Sequence, residues 1–181
     1  LSIRRQRQMC IRDRFYGSYS RANREPSRSD YESNINIKPE QLNDFELGWR
    51  FRKNGLRLNL NAYYMLYNEQ LVLTGELDDV GTPIRTNSGS SYRMGIETEA
   101  SVKLSEDFLI NTNLTLSSNK NQQVLSKFDG KIFDFGKTNI SFSPEIITSN
   151  SIVYSPNDRL MISFLSKYVG KQFMGLSLIH I

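Results

Sequence analysis

The feature that most constrains this chain is an alternation of apolar and polar residues with a period of two, sustained over stretches of about nine to twelve residues. Leu56, Leu58, Leu60, Ala62, Tyr64 and Leu66 alternate with Arg57, Asn59, Asn61, Tyr63 and Met65. Met94, Ile96, Thr98, Ala100, Val102 and Leu104 do so against Gly95, Glu97, Glu99, Ser101 and Lys103. Phe45, Leu47, Trp49 and Phe51 stand against Asp44, Glu46, Gly48, Arg50 and Arg52, and Phe108, Ile110, Thr112, Leu114 and Leu116 against Leu109, Asn111, Asn113 and Thr115. A weaker run places Ile140, Phe142, Pro144, Ile146, Thr148, Asn150, Ile152 and Tyr154 on one face, and a last one carries Leu160, Ile162, Phe164, Ser166 and Tyr168. Successive side chains of a strand point to opposite faces, so each run is a strand with one apolar and one polar side.

Length narrows the class. Strands of soluble proteins usually run ~5–6 residues, whereas tilted membrane-spanning strands need ~9–11. The connections agree. Lys53-Asn54-Gly55, Ser105-Glu106-Asp107 and Pro156-Asn157-Asp158 are tight turns, and they alternate with long polar stretches at about 21–41, 68–91 and 118–137. Short turns on one side and long loops on the other are the habit of up-and-down barrels in outer membranes. Phe51, Phe108 and Tyr154 lie beside the short turns as one aromatic girdle, with Tyr64, Tyr92 and Tyr168 as a second. The expectation is an all-β fold of antiparallel up-and-down strands, about seven of them, forming part of a large transmembrane barrel. A soluble sandwich also alternates, and it is the competing fold.

Charge and reactive residues exclude several functions. Of the formal +4, all comes from residues 1–14, where five arginines face one aspartate; from Phe15 onward 18 basic residues meet 18 acidic ones. No basic stripe is left to neutralise phosphates, so nucleic acid is not an expected partner. The single Cys, Cys10, and the single His, His180, also lie in the terminal segments. Residues 15–174 therefore hold no Ser-His-Asp or Cys-His set and no His/Cys zinc site, and neither an enzymatic reaction nor a cofactor is expected. Glu97 and Glu99 share a strand face, but there they read as wetted charges of a barrel lumen. Asp78-Asp79 with Glu76 lacks the spacing of a calcium loop. Gly17, Gly48 and Gly95 stand singly in strands, where a glycine marks a bulge or a close approach by another backbone.

Several segments, in order, are similar to the C-terminal part of TonB-dependent receptors: Ser20-Arg-Ala-Asn-Arg-Glu-Pro26, Ile37-Lys-Pro-Glu40, Phe45-Glu-Leu-Gly48 and Tyr92-Arg-Met-Gly-Ile-Glu97. Leu71-Val-Leu-Thr-Gly-Glu-Leu-Asp-Asp-Val-Gly81 and Lys167-Tyr-Val-Gly-Lys-Gln172 resemble the versions found in Bacteroidetes members. The motif positions are Arg24, Pro26, Pro39, Glu40, Glu46, Gly48, Gly95 and Glu97. The resemblance implies a 22-stranded outer-membrane barrel around a plug domain, importing a scarce ligand with energy from the inner-membrane TonB complex. Ferric siderophore is the ligand the family most often implies, with haem, cobalamin and glycans as others. Its partners would be outer-membrane lipid, the TonB complex, the plug and that ligand. Glu46, Arg50, Glu97, Glu99 and Lys103 would line the lumen. A passive porin or purely structural barrel is the alternative, and a soluble carbohydrate-binding sandwich a third reading.

Residues 1–14 and 175–181 resemble translated sequencing-adapter ends rather than native protein, against the alternative of a native basic arm and tail. On that reading residues 15–174 are a piece of the barrel domain. Such a piece, with an apolar face and open edges, is expected to need detergent.

Overall fold

A computed structural model describes residues 13–122, 125–128, 131–134 and 136–173. Both suspected non-native ends fall outside these residues, except that Asp13 and Arg14 are paired in the first strand.

Seven long strands make one antiparallel sheet: β1 (Asp13–Arg24), β2 (Glu40–Lys53), β3 (Leu56–Asn68), β6 (Ser91–Lys103), β7 (Phe108–Asn121), β11 (Ile146–Asn157) and β12 (Leu160–Val169). Each pairs with the next of these strands along the chain, as an up-and-down sheet requires, and the sheet is not closed. The remaining elements sit between long strands at one end. They are helix α1 (Arg28–Ser33), the hairpin β4 (Leu71–Leu77) with β5 (Pro83–Asn87), the hairpin β8 (Leu125–Phe128) with β9 (Lys131–Asp134), and β10 (Thr138–Asn139), which pairs with β7.

The turns follow from their residues. Asn54 and Gly55 both take positive φ, 43° and 81°, which is the two-residue hairpin geometry that matches the twist of paired strands. At the second turn the Ser105 hydroxyl accepts from the amides of Asp107 and Phe108. At the third, Asn157 pairs with Leu160 and its side chain accepts from the Arg159 amide. Pro156, with no N–H to offer a ladder, sits in the register shift between Tyr154 and Asn157, where a proline is tolerated.

Register aligns the apolar faces across strands. Directly opposed residues share a face, and the pairing runs Gly17–Leu47–Ala62–Ile96–Leu116–Ile146 on one side. A slip of one residue among β2, β3, β6 and β7 would put a residue of the polar face into that row. The girdle at the short turns is present: Phe108 and Tyr154 are register partners with stacked rings 4.4 Å apart, and Phe15, Trp49 and Phe51 continue it with rings 6.1 and 5.8 Å apart. On the same outward face lie two further contacts, Tyr19–Phe45 at 5.0 Å and Tyr64–Tyr92 at 6.3 Å.

Three expectations need correction. The stretches 21–41, 68–91 and 118–137 are not plain loops. Arg21–Arg24 still pair with Glu40–Asn43, Ser117–Asn121 pair with Ser91–Gly95, and the interiors fold into α1 and two hairpins. Polar composition hid these strands because their partners are polar too. The run from Ile140 to Tyr154 is shorter than its pattern: β11 begins at Ile146, because Phe142 takes φ 54° and Pro144 lacks a ladder donor. Ile140 is buried beneath the loops instead of facing outward. Finally, Gly48 and Gly95 mark no bulge, since their strands pair without a register shift.

Candidate functional site: the polar face of the sheet

The face opposite the apolar rows carries the charges. Along β2 it presents Asp44, Glu46, Gly48, Arg50 and Arg52, and along β6 Arg93, Gly95, Glu97, Glu99, Ser101 and Lys103. Strand β3, between them, supplies Asn59, Asn61 and Tyr63. One cross-strand row joins Arg50, Asn59, Glu99 and Asn113, and the next joins Gly48, Asn61, Glu97 and Thr115. Four of the five expected lumen-lining residues thus stand within a few rungs of each other. Asn59 Nδ2 donates to Glu99 Oε2 at 3.1 Å, and the Ser18 hydroxyl donates to Glu46 Oε2 at 3.4 Å.

The fifth residue departs from the group. Lys103 shares the face, but its ammonium reaches the turn and pairs with Glu106 at 2.6 Å. That pairing holds the Glu106 carboxyl below its ordinary value, first through the hydrogen bond and then through the lysine's charge. Lys103 therefore marks the short-turn rim.

Tyrosine on β1 completes the site. The Arg50 guanidinium lies over the Tyr16 ring, 5.2 Å from its centroid, while the Tyr16 hydroxyl donates to Asn61 Oδ1 at 3.2 Å. Tyr16, Arg50, Asn59, Asn61, Glu97 and Glu99 surround a shallow hollow of about 220 Å³. The glycines explain how the tyrosine fits. A Cβ at Gly48 would lie 2.0 Å from the Tyr16 ring, and one at Gly95 would lie 2.7 Å from the Tyr63 hydroxyl and 2.5 Å from the Leu116 carbonyl oxygen. Each glycine faces its tyrosine directly across the ladder, so the ring lies flat over the bare backbone. A close approach does occur at these glycines, but an aromatic side chain makes it where another backbone was expected.

Nearer the long loops the same face carries a second group. Asp44, Met65, Arg93 and Asn119 share a row, with the Arg93 guanidinium 5.6 Å from the centroid of the Tyr67 ring. Asp44 Oδ1 and Arg93 Nε are buried and make no hydrogen bond to another described residue. Sequence reasoning passed over Tyr16, Asn59, Asn61, Asp44 and Arg93. Asn59, Asn61 and Asp44 stand at polar positions of the alternation, whereas Arg93 precedes the run that begins at Met94 and Tyr16 lies on a strand with no clear alternation.

The remaining motif positions hold the loops. Glu40 Oε2 accepts from the Leu71 amide at 2.7 Å, and Pro26 is buried just before Ser27, the N-cap of α1. Arg24 closes β1 opposite Glu40, and Pro39 immediately precedes β2. Among the described residues no three His, Cys, Asp or Glu side chains gather as a metal site.

Residues 12–174 match a family model described as TonB dependent receptor-like, beta-barrel. No curated protein matches the chain. Among solved structures, it is similar to a mutant of the ferric enterobactin receptor PfeA from Pseudomonas aeruginosa, with TM-score 0.67 and 16% identity over 91% of this chain and 26% of that one. It is also similar to the ferric yersiniabactin uptake receptor FyuA from Yersinia pestis, with TM-score 0.64 and 16% identity over 92% of this chain and 25% of that one. The copper transporter OprC gives TM-score 0.66 and 17% identity over 87% and 23%. The chain thus spans about a quarter of the length of these solved proteins.

Proposed function

The chain belongs to the TonB-dependent receptor-like β-barrel family, and from that premise we propose that its sheet is part of the wall of an outer-membrane transporter that imports a ferric siderophore. The apolar face meets lipid, the polar face lines the lumen, and the short turns lie toward the periplasm with the long loops outside. The observation that carries this reading is the row of Arg50, Asn59, Glu99 and Asn113, four polar residues on consecutive strands of a sheet whose other face is apolar at the same level. A sheet polar on one side and apolar on the other separates water from lipid.

On this reading Glu46, Arg50, Glu97 and Glu99 face a plug domain contributed by the rest of the protein. The plug gates passage, and the inner-membrane TonB complex supplies the energy. The loop elements, α1 and the hairpins, form part of the mouth that first meets the ligand. A ferric siderophore is supported by the similar structures of a ferric enterobactin receptor, a ferric yersiniabactin uptake receptor and the siderophore receptor PirA. The test is growth of a host lacking the complete gene, under iron limitation, with single ferric siderophores as the only iron source. Loss of growth on at least one, restored by the gene, is expected. Unimpaired growth on all of them, with no binding of any by the purified receptor, would overturn the ligand.

A further inference from the structure

At the loop end, two segments far apart in sequence are bound into one another. Asp30, in the first turn of α1, is fully buried. Its Oδ2 accepts from the Ser27 amide at 2.8 Å, and its Oδ1 accepts from the Arg85 amide of β5 at 2.8 Å. The Arg85 guanidinium stands 3.8 Å from the same carboxylate. Asn87, two residues on, accepts from the Lys38 amide at 2.9 Å and donates to the carbonyls of Lys38 and Glu69. Lys38 and Glu69 form an ion pair at 2.9 Å. At the hairpin tip Asp78 Oδ1 accepts from the amides of Val80 at 3.0 Å and Thr82 at 2.7 Å. Ile37 and Leu71, one from each segment, are buried.

These contacts are mutually dependent. A six-residue helix is too short to persist on its own in water, so α1 needs the hairpin. A buried carboxylate is costly unless its oxygens are bonded, so pulling the hairpin away would strand Asp30 Oδ1 and the Arg85 amide together. We propose that segment 25–39 and the β4–β5 hairpin form one clasped lip that moves as a single body, with Asp30 as its latch. Burial works against the ionised Asp30 carboxyl, but the bonds from Ser27 and Arg85 and the arginine's charge outweigh it and hold the group below its ordinary value. The other charges of these two segments are Asp78 at the hairpin tip and the exposed Arg28–Glu32 pair on the helix itself. The latch is thus closed at neutral and mildly acidic pH. Any movement of the lip takes place at its feet. The clasp stands on geometry; only its position at a ligand mouth rests on the function proposed above.

Hydrogen exchange of the complete receptor in detergent tests the latch. The amides of Ser27 and Arg85 are expected to exchange at matched rates, and Asp30→Asn to speed both by roughly ten- to hundredfold while the β3 and β6 ladders stay unchanged. A second measurement leaves Asp30 intact: spin labels at exposed Glu32 and Val80, with a third at Glu106 as reference. One narrow Glu32–Val80 distance is expected, with both distances to Glu106 shifting together if they shift at all. Unaltered Arg85 exchange in Asp30→Asn, or two Glu32–Val80 populations in the unmutated receptor, would overturn the proposal. A receptor that imports no siderophore yet gives the expected distances refutes the transport reading while supporting the clasp.

Discussion

The wall and the loop layer above it are held together by opposite means. In the wall, cohesion lies in the backbone ladder, and large apolar side chains stay uncovered: Phe15 is 76% exposed, Leu47 70% and Phe164 65%. In the loop layer the side chains do the holding. Buried Ile37, Leu71 and Ile140 lie there with buried Pro26, as do buried Asp30, Gln70 and Thr138. Ser91 and Asn121, where β6 and β7 enter the layer, are buried with them; Ser91 donates to Gln70 Oε1 at 2.5 Å and Asn121 Nδ2 to Thr138 Oγ1 at 3.1 Å. On the function proposed above, the wall meets a solvent that is itself apolar and the loop layer meets water. One chain thus satisfies its polar groups by two strategies, the ladder in the wall and side-chain bonds in the loop layer.

The sharpest way to break this contrast is to remove the lipid. Expressed alone in buffer without detergent, residues 13–173 are expected to sediment as aggregate, and a folded monodisperse monomer on size exclusion would refute the membrane wall. Next in size is a charge on the apolar face. Ile96→Arg is expected to destabilise the complete receptor in lipid by about 2–4 kcal/mol if it lies near the bilayer midplane, whereas Asn59→Arg, on the polar face, should stay within about 0.5 kcal/mol. Denaturant titration in vesicles separates the two, and equal costs would mean that the faces are misassigned.

A smaller effect is expected at the glycines beneath the tyrosines. Gly95→Ala meets a backbone carbonyl as well as the Tyr63 hydroxyl and should cost about 1–3 kcal/mol. Gly48→Ala meets only the Tyr16 ring, which can swing aside, and should cost less, with the cost vanishing in a Tyr16→Ser background. Absence of that coupling in a double-mutant cycle would mean the ring does not rest on Gly48.

Acid should separate the two regions most gently. Because Asp30 and Asp78 are held below their ordinary values, the stabilisation they supply is complete above the usual aspartate range and is lost as pH falls through the lowered values. Pepsin cleavage in strong acid should therefore begin within 25–39 and 69–90 while the long strands resist. Cleavage beginning in the wall would reverse the order.

How much of this was legible in the sequence differs by region for a physical reason. In the wall each residue's face follows from its parity, and parity is local, so the outward Leu58, Leu60 and Ile96 and the inward Glu97 and Glu99 could be assigned in advance. At Ile140, Phe142 and Pro144 the same parity misled, because nothing local announces the positive φ of Phe142. In the loop layer the deciding contact joins Asp30 to an amide 55 residues away, and no period connects them. Gly48 and Gly95 lie between these cases. The need for glycine was visible, but what fills the space is known only once register sets Tyr16 opposite Gly48 and Tyr63 opposite Gly95.

The sequence by itself determined the period, the number of long strands, the alternation of short turns with long connections, and the division of each strand into an apolar and a polar face. Tertiary structure decided which inward residues meet in one row, why Lys103 is drawn to the rim, and how α1 and a hairpin lock together over a buried carboxylate. Alternation is a property of neighbours along the chain. Register and burial are properties of strands and loops brought side by side, where a hydrogen bond of 2.8 Å joins residues that the chain keeps far apart.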